Sequence, residues 1–281
     1  MINLNGNIVQ DSEANLSVLN RGFAYGDSVF ETIRVINGKI MFWEDHYFRM
    51  MASMRIMRME IPSSFSPEFL EKEIVSIVEK NDLNEKAARV RFAVYREEGG
   101  FYAPATREIA YVMTVVEMKN SFYLLNTEDY EIELFKDHYV GSGLLSTIKS
   151  NNRAVNVLGS IFAKENDYHN CLLLNEKKSV VEALNGNLFL VSGSKIKTPP
   201  ITDGVLNGII RKQLLEIIKK TEDYELEEAS ISPFELQKAD ELFITNIAVG
   251  IQPVSKYRKK YFKSTVAKNL LSKLNVKARL G

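Results

Sequence analysis

The sequence predicts an α/β protein of two domains, and three observations carry this. Short runs of strand length, alternating or wholly apolar, are interleaved with segments of helical period. With 281 residues and 45% hydrophobic content, the chain can bury a sizeable core, in one large domain or two modest ones. The stretch from Glu117 to Asp129 is polar and aperiodic. It divides the chain into a first domain over 1–118, a linker over 119–129 and a second, larger domain over 130–281.

In the first domain, Ile2 to Leu4, Asn5-Gly6 and Ile8-Val9 read as a hairpin. Arg21 to Ser28 reads as a loop with two glycines, feeding an alternating strand from Val29 to Ile36. Asn37-Gly38 is a turn, and Ile40 to Trp43 is expected to return antiparallel. A helix is predicted from Glu44 through Arg55, with His46 and Arg49 a turn apart. Ser66-Pro67 starts another helix, serine as cap and proline in the first turn, with Leu70, Ile74, Ile77 and Val78 inward. Ala88 to Tyr95 and Ile109 to Val116 read as strands.

In the second domain, Tyr130 to Phe135 is a strand. After a polar run around Lys149 comes a helix whose apolar face is read as Ala154, Val157, Leu158, Ile161 and Phe162. Cys171 to Leu174, Val180 to Ala183 and Leu188 to Val191 are short strands, the last two joined through Asn185-Gly186. Thr198-Pro199-Pro200 interrupts the pattern, and Gly208 starts a helix that buries Ile210, Leu214, Ile217 and Ile218. Ser232-Pro233-Phe234-Glu235 is a capping box, Glu241 to Ile247 a strand ending in a turn near Gly250. The basic tail from Lys259 has Val266, Leu270, Leu271 and Leu274 at helical spacing, the pattern of an amphipathic helix.

Composition excludes several functions. The net charge is zero, whereas a nucleic-acid binder usually carries a basic excess. One cysteine, Cys171, excludes an intrachain disulfide framework and a multi-cysteine metal site, and suits a reducing cytoplasm. His46, His138 and His169 are scattered without metal-ligand spacing. The opening Met1 to Gly6 lacks a leader pattern, and no charge-free segment approaches membrane-spanning length.

The chemistry centres on Lys149, in Ser146-Thr147-Ile148-Lys149-Ser150-Asn151-Asn152-Arg153. A lysine held at the mouth of a packed element can be desolvated and lose proton affinity, as a carbonyl-condensing amine must. Taken alone it also reads as a surface lysine before a helix. Three features strengthen the case. Glu182 lies inside an apolar strand, where a carboxylate needs a cationic partner unless the strand faces water. Gly208-Ile209-Ile210-Arg211 starts a helix, so free backbone N–H groups and the positive helix end offer an anion site. Arg49 can hold a phosphate by a forked contact. An amine, a carboxylate for a pyridine nitrogen and a phosphate site are the parts that pyridoxal phosphate requires.

These motifs, in order, resemble those of the class IV aminotransferases, the fold-type IV pyridoxal-phosphate enzymes. That family includes branched-chain aminotransferase, D-amino acid aminotransferase and aminodeoxychorismate lyase. The resemblance runs from Asn5-Gly6 to about Val254. Its most specific parts are Lys149-Ser150-Asn151-Asn152, the run from Glu182 through Asn187 to Phe189, and Gly208 to Arg211. Tyr25-Gly26-Asp27 with Phe30-Glu31, His46 to Arg49, and Phe243-Ile244-Thr245-Asn246 up to Pro253-Val254 support it. It implies a smaller N-terminal α/β domain and a larger, mixed, β-barrel-like C-terminal domain with helices. It also implies a cofactor cleft between the domains and a homodimer.

By position, the resemblance makes Lys149 the Schiff-base lysine and proton shuttle, Glu182 the pyridine-nitrogen partner and Arg49 a phosphate ligand. Ile209 and Ile210 would donate backbone N–H groups to phosphate, Asn246 and Ile247 lie at the same group, and Tyr168 falls beside the cofactor's phenolic oxygen. Phe30 falls on the substrate side. Two departures stand out: many members have Gly-Ile-Thr at Gly208-Ile209-Ile210, and a threonine at Ile247, so two phosphate-contacting hydroxyls are lost. Thr245 or Asn246 can compensate.

The reaction implied is transamination of an amino acid, branched-chain type or similar, with a 2-oxo acid. The alternatives are elimination, as in aminodeoxychorismate lyase, and a catalytically weak cofactor-binding homologue. Arg89, Arg91 and Arg96 lie on or just after one predicted strand, the first two on one side, and any of them can hold a substrate carboxylate. Solvated arginines on an outer face are the plainer reading of each.

Overall fold

The computed structural model describes residues 1–280. The chain forms two compact units: Met1–Ser121 with Ile148–Asn152, and Phe122–Thr147 with Arg153–Leu280. The first division between them along the chain, Ser121/Phe122, falls within the polar stretch, and the Lys149 stretch groups with the first unit rather than the second.

The first unit is a six-stranded antiparallel sheet with helices against one face. Its elements are β1 (Ile2–Leu4), β2 (Asn7–Val9), α1 (Arg21–Tyr25), β3 (Ser28–Ile36), β4 (Lys39–Ile40), α2 (Trp43–Ile56), α3 (Pro67–Glu79), β5 (Ala87–Arg96) and β6 (Ile109–Met118). The strand order is β2-β1-β6-β5-β3-β4. Asn5 and Gly6 both have positive φ, as a two-residue hairpin turn requires. The predicted inward face of α3 is buried in full, with Ser66 capping from its side chain.

Two expectations change here. The glycine loop contains α1, because Asn20 accepts a hydrogen bond from the Phe23 amide and starts a helical turn. The return strand is only two residues long; Phe42 takes a left-handed conformation, and Trp43 starts α2.

The second unit contains β7 (Glu131–Val140), α4 (Ala154–Glu165), β8 (Asn170–Asn175), β9 (Val180–Ala183), β10 (Gly186–Ser192), β11 (Lys195–Thr198), α5 (Ile209–Lys219), β12 (Glu225–Glu228), α6 (Pro233–Leu236), β13 (Glu241–Asn246), β14 (Gly250–Pro253), β15 (Lys256–Tyr257), β16 (Lys260–Tyr261) and α7 (Thr265–Leu280). Its mixed sheet runs β12-β11-β10-β9-β8-β7-β15-β16, with β13 pairing with β10 and β14 beyond it. The capping box at Ser232 and Glu235 forms reciprocally. Both Glu241 carboxylate oxygens accept from the first amides of α7.

Helix α4 corrects the sequence reading. Val157, Leu158 and Ile161 are exposed, and the helix buries Gly159 and Ala163 instead. At Gly159 the helix backbone closes on Leu184 and the Phe135 ring, where a Cβ has no room. Close helix–sheet approach selects the small-residue stripe, so the larger apolar face is turned outward.

Candidate active site

In the first unit, the Lys149 stretch extends the sheet along the open end of β3. Ser150 bridges Val29 antiparallel, the Phe30 amide donates to the Lys149 carbonyl at 2.8 Å, and the Asn151 amide donates to the Ser28 carbonyl at 3.0 Å. The Asn151 side chain bonds the Ser28 hydroxyl and accepts from Arg91 Nη2 at 2.9 Å. The lysine backbone is thus fixed on a strand. Its half-buried side chain lies over Phe30, with Nζ 4.6 Å from the ring centroid. The Arg91 guanidinium lies over the same ring at 3.7 Å. The structure therefore brings together Lys149, Phe30 and Arg91.

Strand alternation separates the other arginines. Arg91 and Arg89 stand opposite Thr32 and Arg34 of β3, exposed on the face away from the core. Arg96 is different: it is 5% exposed and gives Nε and Nη2 to Asp27. It also bonds the Met57 and Arg58 carbonyls. Arg21 joins the same aspartate. Arg96 is committed to this buried network, with Nε, Nη1 and Nη2 all occupied.

Glu31 alternates onto the core face of β3, where α2 meets it. Arg49 donates through Nε and Nη2 at 2.7 and 2.5 Å, and His46 Nδ1 lies 2.7 Å from the same carboxylate. Burial alone would raise the Glu31 carboxyl. The Arg49 charge and the hydrogen bonds from His46 and Arg49 outweigh it and hold the carboxyl at about 2. Burial pushes the His46 imidazole down, against the opposing pull of Glu31. Glu31 thus fixes the guanidinium plane of the expected phosphate ligand.

In the second unit, cross-strand register aligns Leu173, Glu182, Asn187 and Thr245 in one row over β8, β9, β10 and β13. Glu182 is 5% exposed. Its Oε2 accepts from the Leu206 amide at 2.9 Å and from Asn187 Nδ2 at 3.4 Å, and Asn187 also donates to the Leu206 carbonyl. The strand carboxylate is therefore inside, not at a wet edge. Thr245 is 1% exposed, and its hydroxyl lacks a hydrogen-bond partner among the described residues. Leu206, just ahead of Gly208, brings the start of α5 to this row. No side chain caps α5, so its first amides have no intrahelical acceptor. A Cβ at Gly208 would collide with Asn187 Oδ1, so this approach requires glycine. Ile209 and Ile210 bury their side chains and offer only backbone, while Arg211 is held by Glu228 and the Pro199 carbonyl.

Ile247 begins the turn between β13 and β14, and Asn246 closes it by accepting from the Ala248 and Val249 amides. Tyr168 is not beside Glu182. Its ring lies 6.4 Å from that of Phe162, and the residue precedes β8, which begins at Asn170 and reaches the Glu182 row at Leu173. Sequence reasoning named Thr245 only as a substitute for a lost hydroxyl and did not place Leu206 or Asn151 at the site, because their positions depend on register or chain return.

The donor set fits pyridoxal phosphate: a carboxylate on two N–H donors, an orphaned buried hydroxyl in the same row and an uncapped helix start for an anion. No group of three His, Cys, Asp or Glu among the described residues could hold a metal.

The fold is that of a known structural class. The branched-chain amino acid aminotransferase of T.th., solved in complex with N-(5'-phosphopyridoxyl)-L-glutamate, superposes with a TM-score of 0.87 at 26% identity, covering 99% of this chain and 94% of that one. The family model for amino-transferase class IV matches residues 28–257, and the chain belongs to that family. A Methanocaldococcus jannaschii protein assigned as a branched-chain-amino-acid aminotransferase is 29% identical, covering 90% of this chain and 86% of its own. The D-alanine aminotransferase of Listeria monocytogenes is 26% identical over the same shares. The chain is a fold-type IV enzyme and an aminotransferase, and its family works with pyridoxal phosphate.

Proposed function

We propose that this aminotransferase moves an amino group between an amino acid with a branched or small apolar side chain and a 2-oxo acid. Lys149 is its Schiff-base lysine. Glu182, Thr245, Ile209, Ile210, Asn246, Ile247 and Arg49 hold pyridoxal phosphate. The observation that carries the reading is the buried Glu182–Asn187–Thr245 row ahead of the uncapped α5 start.

When bound, pyridoxal phosphate supplies an electron-accepting ring that stabilises charge developing at the substrate α-carbon. Glu182 presents an oriented carboxylate to a pyridine N–H. The Ile209, Ile210 and Ile247 amides and the Thr245 hydroxyl would donate to the phosphate, replacing the hydroxyls that the family's usual threonines supply. Arg49, aligned by Glu31, adds a cation. Lys149, as the amine at this site, would take the proton from the substrate α-carbon and then return a proton, serving as base and then acid. Arg91, over the same ring as Lys149, holds the substrate carboxylate, and Phe30 walls the substrate.

We also propose a homodimer that uses the exposed α4 face of Val157, Leu158 and Ile161, an apolar surface that association would bury. The cytoplasm is the proposed location. Among the described residues no helix is long and apolar enough to cross a membrane.

The test is a visible spectrum of the purified protein with L- and D-amino acids, followed by an assay of the oxo acid formed. Conversion of the bound cofactor to its amine form by valine, leucine or alanine supports the reading, and the responding enantiomer fixes chirality. An unchanged spectrum, with pyruvate released from aminodeoxychorismate, would replace transamination by elimination.

A further inference from the structure

Tyr123 lies in the stretch that the sequence marks as a linker, yet it is 4% exposed and bonded at both ends. Its amide donates to Asn275 Oδ1 at 3.0 Å, and Asn275 Nδ2 donates to its carbonyl at 2.8 Å. That reciprocal pair clips the Tyr123 backbone to α7. The other end reaches the turn after β13: the hydroxyl donates to the Ile247 carbonyl at 3.1 Å. Between the two, the ring packs against Gly250, whose φ of +72° no L side chain adopts cheaply and whose missing Cβ makes room for the ring.

The same peptide group is pinned from its opposite side. The Ala248 amide, which belongs to the peptide unit carrying the Ile247 carbonyl, donates to Asn246 Oδ1 at 3.0 Å. Asn246 is itself tied to the Asn185 carbonyl at 3.1 Å. Its carbonyl is held by Tyr123 and its N–H by Asn246, and on the other side Asn246 is held by β13–β14 pairing, so the Ile247 N–H between them is oriented from both sides. Among the described residues that N–H has no acceptor. Where the family commonly places a threonine hydroxyl, Ile247 has only this amide to give.

We propose that Tyr123 is a positioning residue for phosphate: its hydroxyl orients the Ile247 turn so that the backbone amide replaces the lost threonine hydroxyl, and α7 anchors it through Asn275. The proposal rests on the pyridoxal-phosphate reading above. It explains why a chain without that hydroxyl retains an anion site, and it links a C-terminal helix to cofactor affinity.

The test compares affinities of the cofactor-stripped, full-length protein for pyridoxal phosphate and for pyridoxal, read from the visible band of the bound chromophore. Wild type should prefer the phosphorylated form strongly. Tyr123→Phe keeps the ring on Gly250 and should fold, with its cofactor-free melting temperature nearly unchanged. Its affinity for pyridoxal phosphate should fall about fivefold, the loss of one hydrogen bond, with pyridoxal affinity unmoved. Asn275→Ala, which loosens the anchor but leaves the hydroxyl, should shift the same ratio in the same direction by less. An unchanged ratio in Tyr123→Phe overturns the proposal, as does an equal fall for both ligands, which would mark Tyr123 as merely structural. Wild type that binds neither ligand, or does not distinguish them, would instead overturn the cofactor reading itself.

Discussion

Lys149 and Phe30 are joined twice: the Phe30 amide donates to the Lys149 carbonyl at 2.8 Å, and the Lys149 ammonium lies 4.6 Å from the Phe30 ring centroid. One contact fixes the lysine backbone on β3, and the other gives its charged end an aromatic rest. The ring also carries Arg91 at 3.7 Å, so one phenylalanine organises two cations.

Replacing that ring should therefore reduce turnover more than substrate binding. Phe30→Leu keeps an apolar strand residue but removes the π face, and kcat should fall roughly 3- to 30-fold. Steady-state kinetics with the best amino donor, alongside a melting curve, checks this. A wild-type kcat would show that the ring contact is idle.

Arg91 and Arg96 should separate cleanly. Arg91→Gln is expected to raise KM for the amino acid about 10- to 100-fold, the loss of a charge-assisted hydrogen bond, without lowering the melting temperature. Arg96→Gln should do the reverse: it leaves Asp27 short of a buried partner, at a stability cost of about 3 kcal/mol. Denaturant titration and kinetics on both variants decide the assignment.

Glu182→Gln keeps the shape of the row but removes the carboxylate from the Leu206 amide. Turnover should fall by about 100-fold, as for loss of an electrostatic stabiliser, while the cofactor still binds. Retained turnover would remove Glu182 from the chemistry.

The Glu31–His46–Arg49 cluster predicts acid sensitivity. His46 is depressed below its ordinary 6.5, so the unfolded chain takes up a proton first as pH falls below 6.5. Glu31, held at about 2 against an ordinary 4.5, contributes stability that is complete above 4.5 and lost as pH falls from there toward 2. Stability should decline in both windows. In His46→Gln the decline between pH 7 and 5 should flatten while the lower one remains, as chemical denaturation across that range will show.

Much of this was legible in the residues. The strands from Val29, Ala88 and Ile109, the buried stripe of α3 and the α5 start follow from local period and capping, and the motifs named the family. What the sequence concealed is long-range. Nothing local says that residues 148–152 return to pair with β3, or that Tyr123 is a buried strut. Helix α4 misled because three large apolar residues outweighed one glycine in the period, whereas close packing on Phe135 and Leu184 favoured the glycine. Arg96 is indistinguishable from Arg91 until Asp27 is seen beside it. The sequence offered Thr245 and Asn246 alike as substitutes for a lost hydroxyl, and only the fold shows that the Thr245 hydroxyl is buried without a partner among the described residues.

The central claim is that Lys149 is the residue that condenses with pyridoxal phosphate. Borohydride reduction of the cofactor-loaded protein, followed by peptide mapping by mass spectrometry, measures this directly. The account predicts one phosphopyridoxyl-modified peptide with the label on Lys149, absent from Lys149→Ala. A label on another lysine, or none on wild type under saturating cofactor, would contradict it.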